Sequence, residues 1–264
     1  MSTENHSIPS QLLTLRDFKP ALEAMLETES KYCLVGGLAV GQWAEALLAP
    51  SIRERFDLPV RSKDIDIRAS KSDAMMFVKN LQERGASPQT ICKRVPKDAT
   101  KAFPSIAIPI QLRDSDGVIK STTVEALSGM PLLDTTLPDG RVSNHGTPMR
   151  YGKIYLLDPC SLLICKLNAI HTRPPGESDN DGKHATILSL VIPRFIQRTL
   201  DRLTSKKDKY HPFTDSERLA GFLNKEPWSG LIPLDEKERV LKSCNLAKLD
   251  WERRKSMETK DHHD

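Results

Sequence analysis

Lys63-Asp64-Ile65-Asp66-Ile67 sets acidic and branched apolar residues in strict alternation, and this stretch decides how the chain is read. A period of two predicts a strand over Arg61 to Arg68. Side chains two apart on a strand share a face, so Asp64 and Asp66 project together while Ile65 and Ile67 enter a core. Two ionised carboxylates side by side repel unless a cation sits between them. A hard divalent ion such as Mg²⁺ suits paired carboxylate oxygens and in turn binds phosphate oxygens. The plainer alternative is an exposed strand face bearing two solvated aspartates.

Upstream, Tyr32-Cys33-Leu34-Val35 is a short apolar run that stops at Gly36-Gly37, and a helical pattern follows from Leu38 to Leu48, ended by Pro50. Strand, glycine turn and helix in that order let backbone N–H groups approach a phosphate where the helix dipole also favours negative charge. Glycines also end strands for steric reasons alone. The turn and the paired carboxylates in succession are more specific than either feature by itself.

Downstream, Ser72 to Arg84 is helical, with Ser72 as the cap and Gly85 as the stop. Two strands, Ser105–Leu112 and Val118–Leu127, flank the turn Asp114-Ser115-Asp116-Gly117. Pro109 inside the first predicts an edge strand. Residues 130–152 read as loops with one short hairpin. Asp158 caps a helix whose first position is Pro159, running through Ile170 and stopping near Pro174-Pro175. Further helical patterns cover residues 11–29, 182–192, 194–204, 215–224 and 235–257. Strands up to residue 157 and helices afterwards predict an α+β protein, with a core over 1–157 and a helical C-terminal region over 158–264.

The 264 residues carry a net charge of +4, which permits an anionic partner without demanding one. No apolar run reaches membrane-span length, and MSTENHSIPS lacks a signal-peptide pattern. The five cysteines (Cys33, Cys92, Cys160, Cys165, Cys244) include no C-x-x-C pair, which argues against a disulfide framework or four-ligand zinc site and fits a cytoplasmic protein. Asp261-His262-His263-Asp264 reads as a polar tail.

Val35-Gly36-Gly37-Leu38-Ala39-Val40 followed by Arg61-Ser62-Lys63-Asp64-Ile65-Asp66-Ile67 resembles the signature of the nucleotidyltransferase superfamily that includes DNA polymerase β. More narrowly, it is similar to the AbiEii/MenT-type nucleotidyltransferases of bacterial toxin–antitoxin systems. Ser62 takes that branch's Thr/Ser place, and the resemblance puts its third acid at Glu125, in Thr123-Val124-Glu125-Ala126-Leu127. Glu stands where Asp is common, and the gap from Gly37 to Asp64 is long beside the compact form of the motif. Leu157 to Ala169, with Lys166, is similar to the family's lysine helix and is followed by Arg173. The next element aligns with Asn180-Asp181-Gly182-Lys183-His184, which keeps Asp181 and departs at Asn180 and His184.

The resemblance implies a nucleotidyltransferase-like mixed sheet flanked by helices. It implies Mg²⁺ (or Mn²⁺) held by Asp64, Asp66 and Glu125, with an NTP as substrate and a tRNA, protein or small-molecule hydroxyl as acceptor. Gly36, Gly37, Ser62, Lys166 and Arg173 would bind the nucleotide, and an antitoxin would be a further partner. An active enzyme needs Glu125 within metal-bridging reach of the two aspartates, roughly 4–6 Å between carboxylates. The alternative is a catalytically silent member of the fold that binds a nucleotide or a protein. Each residue also has a plainer role: Glu125 as an exposed strand acid, Lys166 as a snorkelling lysine, Ser62 as a local hydrogen-bond partner. His171 and His184 read as surface residues. Arg194, Arg198, Arg202 and Lys206 recur every four residues, a stripe that would face RNA or be a solvated helix face.

Overall fold

In a computed structural model of the chain, the alternating segment forms strand β2 (Asp64–Arg68), with Ile65 and Ile67 fully buried and both aspartates partly exposed. The structure describes residues 17–18, 23, 33–58, 62–69, 71–83, 87–88, 92–94, 105–113, 118–127, 155–174, 176, 179–203 and 212–260. All but three residues of the expected helix over 11–29, together with Arg61, Gly85, the turn at 114–117, the loops of 130–152, Lys206 and the histidine tail, lie outside these residues.

The chain is a mixed α+β protein that divides into two compact units, one of residues 1–42 and 57–157, the other of residues 43–56 and 158–264. The first unit carries a six-stranded sheet. Besides β2 it contains β1 (Cys33–Leu34), β3 (Ser87–Pro88), β4 (Cys92–Arg94), β5 (Ser105–Arg113) and β6 (Ile119–Leu127). The order is β1-β2-β6-β5-β3, with β4 also pairing with β5. Strands β2 and β6 run parallel, as does an isolated bridge between Leu34 and Leu156; β1–β2, β5–β6, β3–β5 and β4–β5 are antiparallel.

The β5–β6 pair is the expected hairpin, in register from Arg113↔Ile119 to Ser105↔Leu127. Pro109 does not mark an edge, because β5 has partners on both sides. It sits where the outer partner changes: β4 pairs with residues 105–107 and β3 with 110–111, so among the described residues no outer strand pairs opposite the proline. An imino acid that cannot donate to a ladder is tolerated at such a break.

One face of the sheet is apolar and closed. Ile65, Ile67, Val124, Ala126, Ile108 and Ile110 are buried there. Within the same unit, helix α3 (Lys71–Glu83) buries Ala74, Phe77, Val78 and Leu81. That i, i+3, i+4, i+7 stripe is what a one-faced helix requires. It starts at Lys71, so Ser72 falls within the first turn rather than at the cap. Helix α1 (Gly36–Leu47) leaves β1 after a single residue, and Pro50 then opens a short helix α2 (Pro50–Arg55). The proline that ends one helix thus starts another, since its missing N–H is harmless at a first position.

The second unit contains α4 (Pro159–Thr172), α5 (Asp179–Arg202), α6 (Phe213–Leu223) and α7 (Leu234–Lys260). Asp158 caps α4 as expected, its carboxylate accepting from Ser161 N–H at 2.8 Å. The two helices expected on either side of Pro193 are one, α5. Ile187, Leu188, Val191, Ile192, Phe195 and Ile196 are buried across the proline, so tertiary packing carries the helix through it. Phe195 meets Trp43 edge-on at 5.2 Å and Phe213 stacks on Trp251 at 5.7 Å. No helix among the described residues is long and apolar enough to cross a membrane.

Candidate metal centre

The parallel register places Asp64 beside Thr123 and Asp66 beside Glu125. Cα partners in adjacent strands point their side chains to one face, so β2 supplies two carboxylates and β6 a third. Each of Asp64, Asp66 and Glu125 offers an oxygen, and the three oxygens lie within 4.8 Å of one another, all on partly exposed residues. Among the described residues this is the group of three that could hold a metal ion. Two unit charges at that spacing repel by about 3 kcal/mol at an effective dielectric constant of about 20, before screening by solvent. Oxygen-only donors on a half-open surface suit a hard cation such as Mg²⁺ or Mn²⁺.

Local structure holds the three in place. Ser62 Oγ, buried, donates to Asp64 Oδ1 at 3.1 Å, the local bond its plainer role calls for. Thr122 Oγ1 donates to the Lys63 carbonyl at 3.0 Å and ties β6 to the entrance of β2, a role the sequence did not single out. The β1–β2 pairing continues past the strand end, with Val35 N–H donating to the Asp66 carbonyl at 2.9 Å. Gly36, the first residue of α1, therefore lands against the Asp66 side chain. Its φ is +66°, and a Cβ built on it would overlap Asp66 Oδ2 and lie 2.7 Å from Cγ and 2.8 Å from Cβ. Gly37 is the next residue of α1.

Lys166 and Arg173 belong to the second unit. Lys166 Nζ donates to Asp181 Oδ1 and Arg173 Nη1 to Asp181 Oδ2, each at 2.6 Å. Lys166 is on α4, whereas Arg173 is the residue that ends it. The Asp181 side chain is only 3% exposed, that of Lys166 13% and that of Arg173 53%. One carboxylate cannot neutralise two cations, so the trio keeps a net positive charge. Lys166 does not snorkel to water; it is anchored by a buried acid. Asp181 was visible in the sequence only as the retained member of an altered motif.

His184 is a correction: it is buried, not on the surface, because it lies on the inward face of α5 one turn after Asp181. Burial, and then the Lys166 ammonium, push its imidazole down to about 3, so it is neutral at physiological pH. His171 is exposed as expected. Of the basic stripe, Arg194 donates to the Leu190 carbonyl and Arg198 to the Ala46 carbonyl, while Arg202 ends α5 in solvent.

No protein family, no curated protein and no solved structure matches this chain.

Proposed function

We propose that the protein is a divalent-metal-dependent nucleotidyltransferase that moves a nucleotidyl group from an NTP to a hydroxyl acceptor and releases pyrophosphate. The observation that carries this reading is the meeting of Asp64, Asp66 and Glu125 oxygens within 4.8 Å beside a glycine turn that opens a helix. In this reading the three carboxylates would hold Mg²⁺ or Mn²⁺, which supplies Lewis-acid polarisation of the phosphate oxygens. Glu125, the acid contributed by the second strand, would accept the proton of the attacking hydroxyl. Ser62 fixes the orientation of Asp64 through its hydrogen bond. The resemblance gives Lys166 and Arg173, both bonded to Asp181, the role of charge stabilisation on a triphosphate. The resemblance to AbiEii/MenT-type enzymes makes tRNA, a protein hydroxyl or a small-molecule hydroxyl the acceptor, and an antitoxin a partner.

A catalytically silent fold is the rival reading, and one observation favours it: both cations are already bonded to Asp181. Incubation of the protein with each labelled NTP and Mg²⁺, with and without total tRNA and cell lysate, separates the two. Label transferred to RNA, protein or a small molecule by the wild type and not by Asp64→Ala supports the enzyme. Equal labelling by Asp64→Ala removes that residue from the mechanism, and no labelling by either supports the silent fold.

A further inference from the structure

We infer that Gly36 is a positioning residue for the metal ligand Asp66: its missing side chain is the slot in which the carboxylate rests. The inference rests on the proposed metal centre and deepens it, because a glycine turn opening a helix is otherwise read as a cradle for phosphate.

Three observations place the slot. Val35 N–H bonds the Asp66 carbonyl, which fixes the backbone of residue 36 beside the Asp66 side chain. At φ +66° the position favours glycine for backbone reasons alone. Independently of φ, a side chain there would overlap Asp66 Oδ2 and press on Cγ and Cβ at 2.7 and 2.8 Å. Those atoms are not the far end of a flexible chain; they are the root and head of a short one, so relief requires Asp66 to swing away. Swinging it away removes one of the oxygens from the three-carboxylate group. The carboxylate also rests beside the first residue of α1, where the positive end of the helix dipole favours a negative charge.

Backbone and slot are separable. Asn tolerates positive φ far better than Ala, yet both carry the Cβ. The full-length protein is titrated with Mn²⁺ by electron paramagnetic resonance as wild type, Gly36→Ala, Gly36→Asn and Asp66→Asn, with circular dichroism to establish folding. Both Gly36 variants are expected to lose about tenfold or more in Mn²⁺ affinity, as when a ligand's support is removed. Gly36→Asn binding Mn²⁺ within about twofold of wild type overturns the slot and leaves only the φ requirement.

A metal-free readout keeps the two readings apart. In EDTA, the melting temperature is measured for wild type, Gly36→Ala, Asp66→Gly and the double variant. The drop caused by Gly36→Ala is expected to shrink by at least about half in the Asp66→Gly background, because the obstructing atoms are gone. Equal drops in both backgrounds overturn the slot. Wild type that takes up no Mn²⁺ overturns the metal centre, while this cycle still decides whether Gly36 makes room for Asp66. If Gly36→Ala alone fails to fold, recovery of folding in the double variant is the supporting result and its failure the overturning one.

Discussion

Asp66 and Glu125 stand directly opposite each other on parallel strands, their oxygens within 4.8 Å in the company of Asp64. Such a group is electrostatically expensive when empty and relieved when a cation arrives. Asp66→Asn and Glu125→Gln are therefore expected to keep stability in EDTA or raise it, by about 1 kcal/mol after solvent screening, so that the melting temperature does not fall. The wild type is expected to gain melting temperature with Mg²⁺ or Mn²⁺, and the same variants to lose that gain. A pair of thermal scans, with EDTA and with metal, checks both halves. Variants that melt well below wild type in EDTA would mean these side chains serve the fold rather than an ion.

Asp181→Asn leaves the mostly buried Lys166 ammonium without its counter-charge. Breaking a buried ion pair by removing one partner costs about 3 kcal/mol or more. The half-exposed Arg173 loses far less, since water replaces the carboxylate. Urea denaturation should show a large loss for Asp181→Asn and a small one for Arg173→Gln. Equal losses would contradict the exposures.

Two buried groups give stability opposite dependences on pH. Burial, then the neighbouring Asp215 carboxylate, push Asp158 up to about 7, against the pull of Ser161 and Arg218. Between pH 4 and 7 the folded state thus holds a proton that the unfolded state has released, and this contribution falls as pH rises. His184 runs the other way: neutral when folded and protonated when unfolded between about 3 and 6.5, it loses stability as pH falls. In the wild type the slopes oppose each other across the shared window. Asp158→Asn, whose amide oxygen still caps Ser161, should make stability climb with pH over that window and exceed wild type at pH 8. His184→Gln should tilt the profile the opposite way. Chemical denaturation from pH 4 to 8 reads both tilts, and parallel profiles for the three proteins would refute the assignment.

Pro193 interrupts the hydrogen-bond ladder of a 24-residue helix that packing holds together. Pro193→Ala restores the N–H, and should raise stability by about 1–3 kcal/mol by urea denaturation. A loss instead would show that the packed partners of α5 require the proline's geometry.

Much of this architecture is legible in the local chemistry of the chain. Alternation placed β2 and put both aspartates on one face, the two strands expected over 105–112 and 118–127 pair antiparallel as β5 and β6, and Asp158-Pro159 marked the start of α4. What escaped the sequence depends on distant partners. Period two says that Glu125 shares a face with Thr123, but not that β6 lies parallel to β2 with Glu125 facing Asp66. Helical spacing put Lys166 and Arg173 about two turns apart, yet gave no sign that Asp181 would claim both. His184 sits in a polar stretch whose composition suggests exposure, yet it is buried on a helix, α5, that packs against α4. Pro50 and Pro193 both read as breaks, and each was overruled by its position: at a helix start in one case, within a buried helix in the other.

The parallel pairing of β2 with β6 joins residues 66 and 125, which are 59 positions apart in the chain (125 − 66). The neighbouring β5–β6 hairpin closes over a few residues and can zip early, whereas this junction must wait for a long excursion to return. Coordination at the three carboxylates would then register that the last seam of the sheet has closed. A chain in which residues 66 and 125 have yet to meet would lack the three-oxygen group, so any affinity for a cation would begin only once that seam is made.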